Sequence, residues 1–264
     1  MTRELYLDLL KRCVSNIIYN DDLDMLPGKF KKDPVTGRLN STEPVAVDQT
    51  LQYYGGIWPT RAHTMIGIPR LDNLRYCVET VIQEQIPGDL IETGVWRGGA
   101  AIFMRGILKA FNVLDRRVWV ADSFEGLPPT DKLAHPVDAA LNLDLINDLA
   151  VSLEDVQANF ARYGLLDEQV IFLKGWFRDS LPAAPIEQLA VLRLDGDLYE
   201  STMDGLVHLY PKLSPGGFVI LDDYNAVDGC NKATDAYRQS AGITEPLTLL
   251  KSCGAFWRKD SSNP

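Results

Sequence analysis

Two apolar runs that break off at acids constrain this chain more than any other feature. AVLRL (Ala190–Leu194) ends in Asp195, Gly196 and Asp197, and FVIL (Phe218–Leu221) ends in Asp222 and Asp223. Short, continuous apolar runs bounded by turn residues read as strands buried on both faces, which a parallel sheet requires. In open α/β sheets, ligands collect beyond the carboxyl ends of the strands. The acids are therefore expected to converge on one crevice.

The rest of the chain fits that expectation. DLIE (Asp89–Glu92), RVWVAD (Arg117–Asp122) and VIFLKG (Val170–Gly175) read as further strands. Between and after the strands, helical patterns span Gly98–Asn112, Leu153–Tyr163, Thr202–Leu213 and Asn231–Gly242, and LTLLK with AFWRK reads as a closing hairpin or at least as two late strands. Strand–helix alternation predicts a mostly parallel sheet with helices on both faces and an antiparallel pair at the end. A helix is predicted over Leu71–Gln85, stopped by Pro87 and Gly88.

Upstream of it, Leu5, Leu9, Leu10, Cys13, Val14, Ile17 and Ile18 recur at helical spacing, predicting a helix from Thr2 to about Asn20. Residues 21–50 hold Pro27, Gly28, Pro34, Gly37 and Pro44 with few large apolar groups, and read as a long loop. YYGGIWPTRAHTMIG (Tyr53–Gly67) reads as a substrate-facing loop containing His63. The expected organisation is an N-terminal extension of helix and long loops over residues 1–70, the loops serving either as linker or as lid, and an α/β domain over 71–264.

Charge and cysteine usage narrow the function. A net charge of -10 disfavours a nucleic-acid partner, whose phosphates demand Lys and Arg. Cys13, Cys77, Cys230 and Cys253 are scattered without a CxxC pair, so neither a zinc site nor a disulfide framework is expected. Glu4, Asp8, Lys11 and Arg12 interrupt the N-terminal apolar pattern and exclude a signal-peptide core, and no stretch is long enough to span a membrane. The expectation is a cytoplasmic protein.

ETGVWRGG (Glu92–Gly99) stands between a strand and a helix, where a nucleotide-type cofactor sits in Rossmann-like sheets. A dinucleotide fingerprint needs a second glycine two residues after the first, but here that position is Trp96. This disfavours an NAD(P)-dependent oxidoreductase. A cofactor without pyrophosphate, such as S-adenosylmethionine (SAM), tolerates the indole. Asp122 either accepts ribose hydroxyls or caps its own turn beside Ser123, and Trp176 or Phe177 either flanks an adenine or packs in the core.

Asp195, Asp222 and Asp223 offer hard oxygen ligands suited to Mg²⁺, and Asp197 lies in the same mouth. The alternative is that these acids cap helices or pair with Arg193 and Arg178. With a cation present, a substrate bearing neighbouring hydroxyls would have one of them acidified; an unassisted alcohol, with a pKa near that of water at about 15.7, hardly ionises.

At this point the chain resembles the macrocin O-methyltransferase family, SAM- and Mg²⁺-dependent enzymes that methylate deoxysugar hydroxyls of antibiotics. The matching stretches are YLDLLKR, HTMIG, ETGVWRGGA, VWVADSFEGLP, FARYGLLDEQV, KGWFRDSLP, AVLRLDGDLYEST and LSPGGFVILDDY, from Tyr6 to Tyr224. The resemblance implies an α/β class I SAM-dependent methyltransferase, with a Rossmann-like, mostly parallel seven-stranded sheet and an N-terminal helical and lid extension.

It implies Asp195, Asp222 and Asp223 as metal ligands, and SAM contacts from Glu92, Thr93, Gly94, Asp122, Ser123, Gly175, Trp176 and Asp195. The base is Asp195 or Asp197; Asp197 is favoured because Asp195 is committed to the cation. His63, Thr64, Met65 and His135 are the expected substrate contacts. A lid is expected from the loop up to Met65 and from AHPVDAALNLDLI, beginning at Ala134; His135 and Asp138 there either meet substrate or belong to a capped surface helix. Residues 21–52 depart from the family pattern and are an open candidate for the acceptor pocket. A homodimer or higher homo-oligomer is expected. The competing functions are an O-methyltransferase acting on a non-sugar vicinal diol or catechol, and a non-catalytic SAM-binding protein.

Overall fold

The computed structural model describes residues 2–25, 29–129, 135–139 and 141–260. Pro27, Gly28, Ala134 and Ala140 lie outside the described residues. The chain opens with α1 (Thr2–Val14), whose Leu7, Leu10 and Val14 form a buried stripe. The helix is shorter than its periodicity predicts because Asn16 turns left-handed (φ 52°) and the Ile17 N–H reaches back to the Arg12 carbonyl at 3.1 Å. Those features belong to a left-handed helix stop.

The stretch read as loop contains two short antiparallel pairs: β1 (Leu23–Asp24) with β4 (Val45–Ala46), and β2 (Phe30–Lys32) with β3 (Leu39–Ser41). α2 (Gln49–Tyr54) follows, with the Asp48 carboxylate accepting the N–H groups of Thr50 and Leu51 at its start. α3 (Gly67–Gln83) begins four residues earlier than expected and buries Leu71, Leu74, Cys77, Val78 and Val81.

The alternating unit then runs β5 (Asp89–Thr93), α4 (Gly99–Ala110), β6 (Val118–Asp122), α5 (Leu153–Arg162), β7 (Val170–Lys174), α6 (Phe177–Ala183), β8 (Leu189–Leu194), α7 (Tyr199–Leu209), β9 (Leu213–Leu221) and α8 (Asp228–Ser240). β10 (Thr248–Leu249) and β11 (Ala255–Arg258) close it as an antiparallel pair. α6 was not anticipated: it is short, and Pro182 lies inside it.

One seven-stranded sheet has the order β10-β11-β9-β8-β5-β6-β7. β5 pairs in parallel with both β6 and β8, β8 with β9, and β11 lies antiparallel to β9. Strand order therefore reverses at β5, and the crevice beyond β5 and β8 is the topological switch point where ligands bind.

The pleat divides the core. Leu90, Val118, Val120 and Phe218 face one apolar cluster with α1, α3 and α4; Ile91, Trp119, Leu192 and Val219 face the other with α7. Leu7, Leu10 and Val14 belong to the first cluster, so α1 is built into the sheet's own core. The four cysteines are free thiols. No helix among the described residues is long and apolar enough to cross a membrane.

Candidate active site

The ends of β5 and β8 meet at Gly94. A Cβ there would lie 1.6 Å from the Asp195 carbonyl oxygen, and φ is +79°, so only glycine fits. The Asp195 N–H in turn donates to the Thr93 carbonyl at 2.9 Å, which gives buried Thr93 a fixing role behind the site. The crevice is a cavity of about 480 Å³ lined by Glu92, Gly94, Trp96, Asp122, Ser123, Gly175, Trp176 and Phe177 on one side and by Asp195, Asp197, Asp222 and Asp223 on the other. Thr64 and Met65 also line it.

Oxygens of Asp195, Asp222 and Asp223 lie within 4.8 Å of one another. Behind them, fully buried Arg193 donates to Glu92 at 2.9 Å, to Asp195 at 2.8 Å and to Asp222. Arg70 donates to the other Asp222 oxygen. Two guanidinium groups thus face five carboxylates, counting Asp197 and Asp223.

The shortfall of positive charge shows in proton affinities. Burial, with Asp222 beside it, raises Asp195 to about 6; burial with Asp195 and Asp222 raises Asp197 to about 7. Burial and the neighbouring Asp197 push Asp223 well above the carboxylate range. Burial also raises Glu92 to about 8, against the pull of Arg193. An all-oxygen donor set with uncompensated charge fits a hard divalent cation. The alternative pairing of the acids with Arg193 is present alongside the cluster, whereas Arg178 reaches Asp179 and Glu200 instead.

Asp197 takes a left-handed conformation (φ 56°), and its N–H donates to Asp223 at 2.9 Å. That bond fixes the DGD turn at the cavity edge. On the other side, the Glu92 Oε2 atom is buried without a hydrogen-bond partner among the described residues, an acceptor suited to an ammonium group. Asp122 accepts the N–H groups of Val95 and Phe124, each at 2.7 Å, so it caps both turns while facing the cavity. These residues fit SAM.

Two expected substrate residues lie outside the cavity lining. His135 stacks on Tyr199 with ring centroids 4.9 Å apart, and Asp138, 1% exposed, accepts the Tyr199 N–H at 2.9 Å. His63 Nδ1 meets the Tyr163 hydroxyl at 2.7 Å, and its carbonyl accepts the Gly99 N–H at 2.8 Å. Burial, then Arg97 and Arg162, depress its pKa to about 4.

A histidine neutral when folded but titrating near 6.5 when unfolded favours the fold above the latter value, and that contribution is lost as pH falls toward 4. His63→Gln is therefore expected to flatten stability between pH 6.5 and 4, read by urea unfolding at stepped pH. An unchanged slope would remove His63 as the cause.

Residues 21–52 do not line the cavity among the described residues. They act from one layer out: Ser41 N–H donates to Asp148, and Asn147 donates to Asn40 at 2.9 Å, bracing a segment whose Leu143 and Leu149 do line it. The Trp96 indole N–H holds the same segment through the Asp148 carbonyl at 2.9 Å. The sequence reading missed Arg70, although an arginine in register with the apolar stripe of α3 is a detectable signal.

The sheet order and this switch-point site define a class I SAM-dependent methyltransferase fold. The structure of the O-methyltransferase NovP superposes with a TM-score of 0.89 at 47% identity, covering 98% of this chain and 99% of that one. The family model described as Macrocin-O-methyltransferase (TylF) matches residues 3–259, and the chain belongs to that family.

It is 53% identical over 262 residues to the 8-demethyl-8-(2,3-dimethoxy-alpha-L-rhamnosyl)-tetracenomycin-C 4'-O-methyltransferase of Streptomyces olivaceus, covering 99% of this chain and 95% of that protein. It is 52% identical over 261 residues to the mycinamicin III 3''-O-methyltransferase of Micromonospora griseorubida, covering 98% and 97%. The chain is an O-methyltransferase, and its family implies SAM as methyl donor.

Proposed function

We propose that this enzyme methylates a deoxysugar hydroxyl of a glycosylated natural product, with Mg²⁺ held by Asp195, Asp222 and Asp223. The observation that carries the reading is the joining of that carboxylate cluster and the Glu92–Asp122 side in one cavity. Trp58, Leu141, Leu143 and Leu149 add an apolar wall suited to an aglycone. The rhamnosyl substrate in the Streptomyces relative's name supports the sugar acceptor.

When bound, the cation would supply a Lewis acid that lowers the pKa of an acceptor hydroxyl. SAM supplies a methyl that is electrophilic without further activation, so the protein's remaining work is orientation. Glu92 holds the amino group, Asp122 the ribose, and Gly175 with Trp176 the adenine side. Asp197 takes the hydroxyl proton. Thr64 and Met65, on the wall opposite, are the acceptor contacts retained in this reading. Residues 1–70 serve as an acceptor-side extension to the domain of residues 71–264. The reading includes a cytoplasmic homodimer, for which exposed Leu5 and Leu9 on α1 offer apolar surface.

The test is a mass-spectrometric screen of glycosylated natural products with SAM. Chelation is expected to cut methylation about a hundredfold or more, and added Mg²⁺ to restore it. Full activity in chelator would overturn the metal assignment, and failure to bind SAM by calorimetry would overturn the whole reading.

A further inference from the structure

Arg70 lies 7% exposed on α3 and joins two parts of the protein that are distant in sequence. Its Nε–H donates to the Ile66 carbonyl at 2.8 Å, and Nη2 donates to the carbonyls of Gly55 at 2.9 Å and Met65 at 3.3 Å. Its Nη1 donates to Asp222. Gly55, Met65, Ile66 and Asp222 all line the one cavity, the first three from loop 55–66 and Asp222 from the end of β9.

The junction has no slack. A Cβ on Gly55 would lie 2.4 Å from Arg70 Nη2, and one on Gly67 would lie 2.4 Å from the Gly55 nitrogen. Arg193 holds one Asp222 oxygen and Arg70 the other, so the carboxylate cannot rotate without breaking a buried ion pair. Rotation of Asp222 and release of loop 55–66 are thereby opposed by the same planar fork. Lysine carries the charge but not the fork.

We propose that Arg70 is a positioning residue that couples order in loop 55–66 to cation affinity at the Asp195–Asp222–Asp223 cluster. The inference rests on the reading of Asp222 as a cation ligand. Coupling is reciprocal: a cation that fixes Asp222 steadies the acceptor wall, and an ordered wall favours the cation.

Arg70→Lys keeps the positive charge, so its effect reports geometry. Mn²⁺ calorimetry on the full chain is expected to show affinity about tenfold weaker or worse, as for other groups that orient metal ligands, with SAM affinity within about twofold. Hydrogen exchange of residues 53–66 is expected to slow on Mn²⁺ addition in the unaltered protein and not to respond in the variant. Wild-type affinity and an intact Mn²⁺ response in Arg70→Lys would overturn the coupling while leaving the metal site in place.

Absence of Mn²⁺ binding to the unaltered protein would instead overturn the site reading, and the coupling with it. Asp222→Ala examines the tie from its other end, should Arg70→Lys fail to fold. It is expected to speed exchange of residues 53–66 without any cation, and unchanged exchange there would overturn the proposal.

Discussion

An Asp197→Asn variant is expected to bind SAM with unaltered affinity and to retain Mn²⁺ binding while methylating its acceptor about 10²–10⁴-fold more slowly, the range general-base catalysis supplies. The substitution is mild in structural terms. Asparagine tolerates the left-handed backbone at this position (φ 56°), and the bond from the residue 197 N–H to Asp223 comes from the main chain. The proton acceptor is removed, and with it the side-chain contact of Asp197 to Asp223 and one charge beside the cluster. Asp195, by contrast, belongs to the carboxylate cluster and receives a bond from Arg193, so Asp195→Asn is a change to the cation site itself. Single-turnover rates with calorimetry on the same preparation separate the two: near-normal turnover in Asp197→Asn would pass the base role to Asp195.

The other large effect concerns stability. Replacing Arg193 by methionine leaves Glu92, Asp195 and Asp222 facing one another without their shared cation. Burial alone would lower the Arg193 pKa, but Asp222, Asp195 and Glu92 outweigh it and raise it, a sign of how strongly the site retains this charge. Breaking a buried ion pair from one side costs about 3–5 kcal/mol. Urea unfolding is expected to show a loss of that size at neutral pH. Mg²⁺ should recover part of it, and stabilise the variant more than the unaltered protein, because a ligand bound only by the folded state adds to its stability. A loss below about 1 kcal/mol, within the range of exposed ion pairs, would mean that the cluster is not held by Arg193.

The strand ends were legible because buried strands and acids alternate along the chain without reference to distant partners. AVLRL and FVIL could be placed from their apolar continuity, and the turn at Gly94 from its position between strand and helix. Boundaries were less legible. α7 starts at Tyr199, where Leu198 provides no side-chain cap, and β9 starts at Leu213 because SerProGlyGly continues in the strand. The two short antiparallel pairs within residues 21–50 have no apolar period to announce them.

Side-chain pairing was the least legible layer. The sequence offers Arg193 as a partner of the nearby acids, yet Glu92 stands 101 residues away and its inclusion depends on β5 lying beside β8. Arg70 meets Asp222 across 152 residues. The aromatic, glycine-rich surroundings of His63 suggest a substrate contact, and the fold turns its ring to Tyr163. Local composition marks a segment as facing a ligand; which of its side chains face in depends on the packing of α5 against it.

The near-contact between Gly94 and the Asp195 carbonyl has a consequence for redesign. The Glu92–Asp122 side and the carboxylate cluster meet at a point that admits no added atom, so a change of backbone on one side of Gly94 is felt on the other. The wall around Leu143 and Leu149 carries no such constraint, being held by side-chain bonds such as those of Asn40 with Asn147 and of the Trp96 indole with the Asp148 carbonyl. Grafts that retarget the enzyme belong on that wall, transplanted together with the residues that brace it.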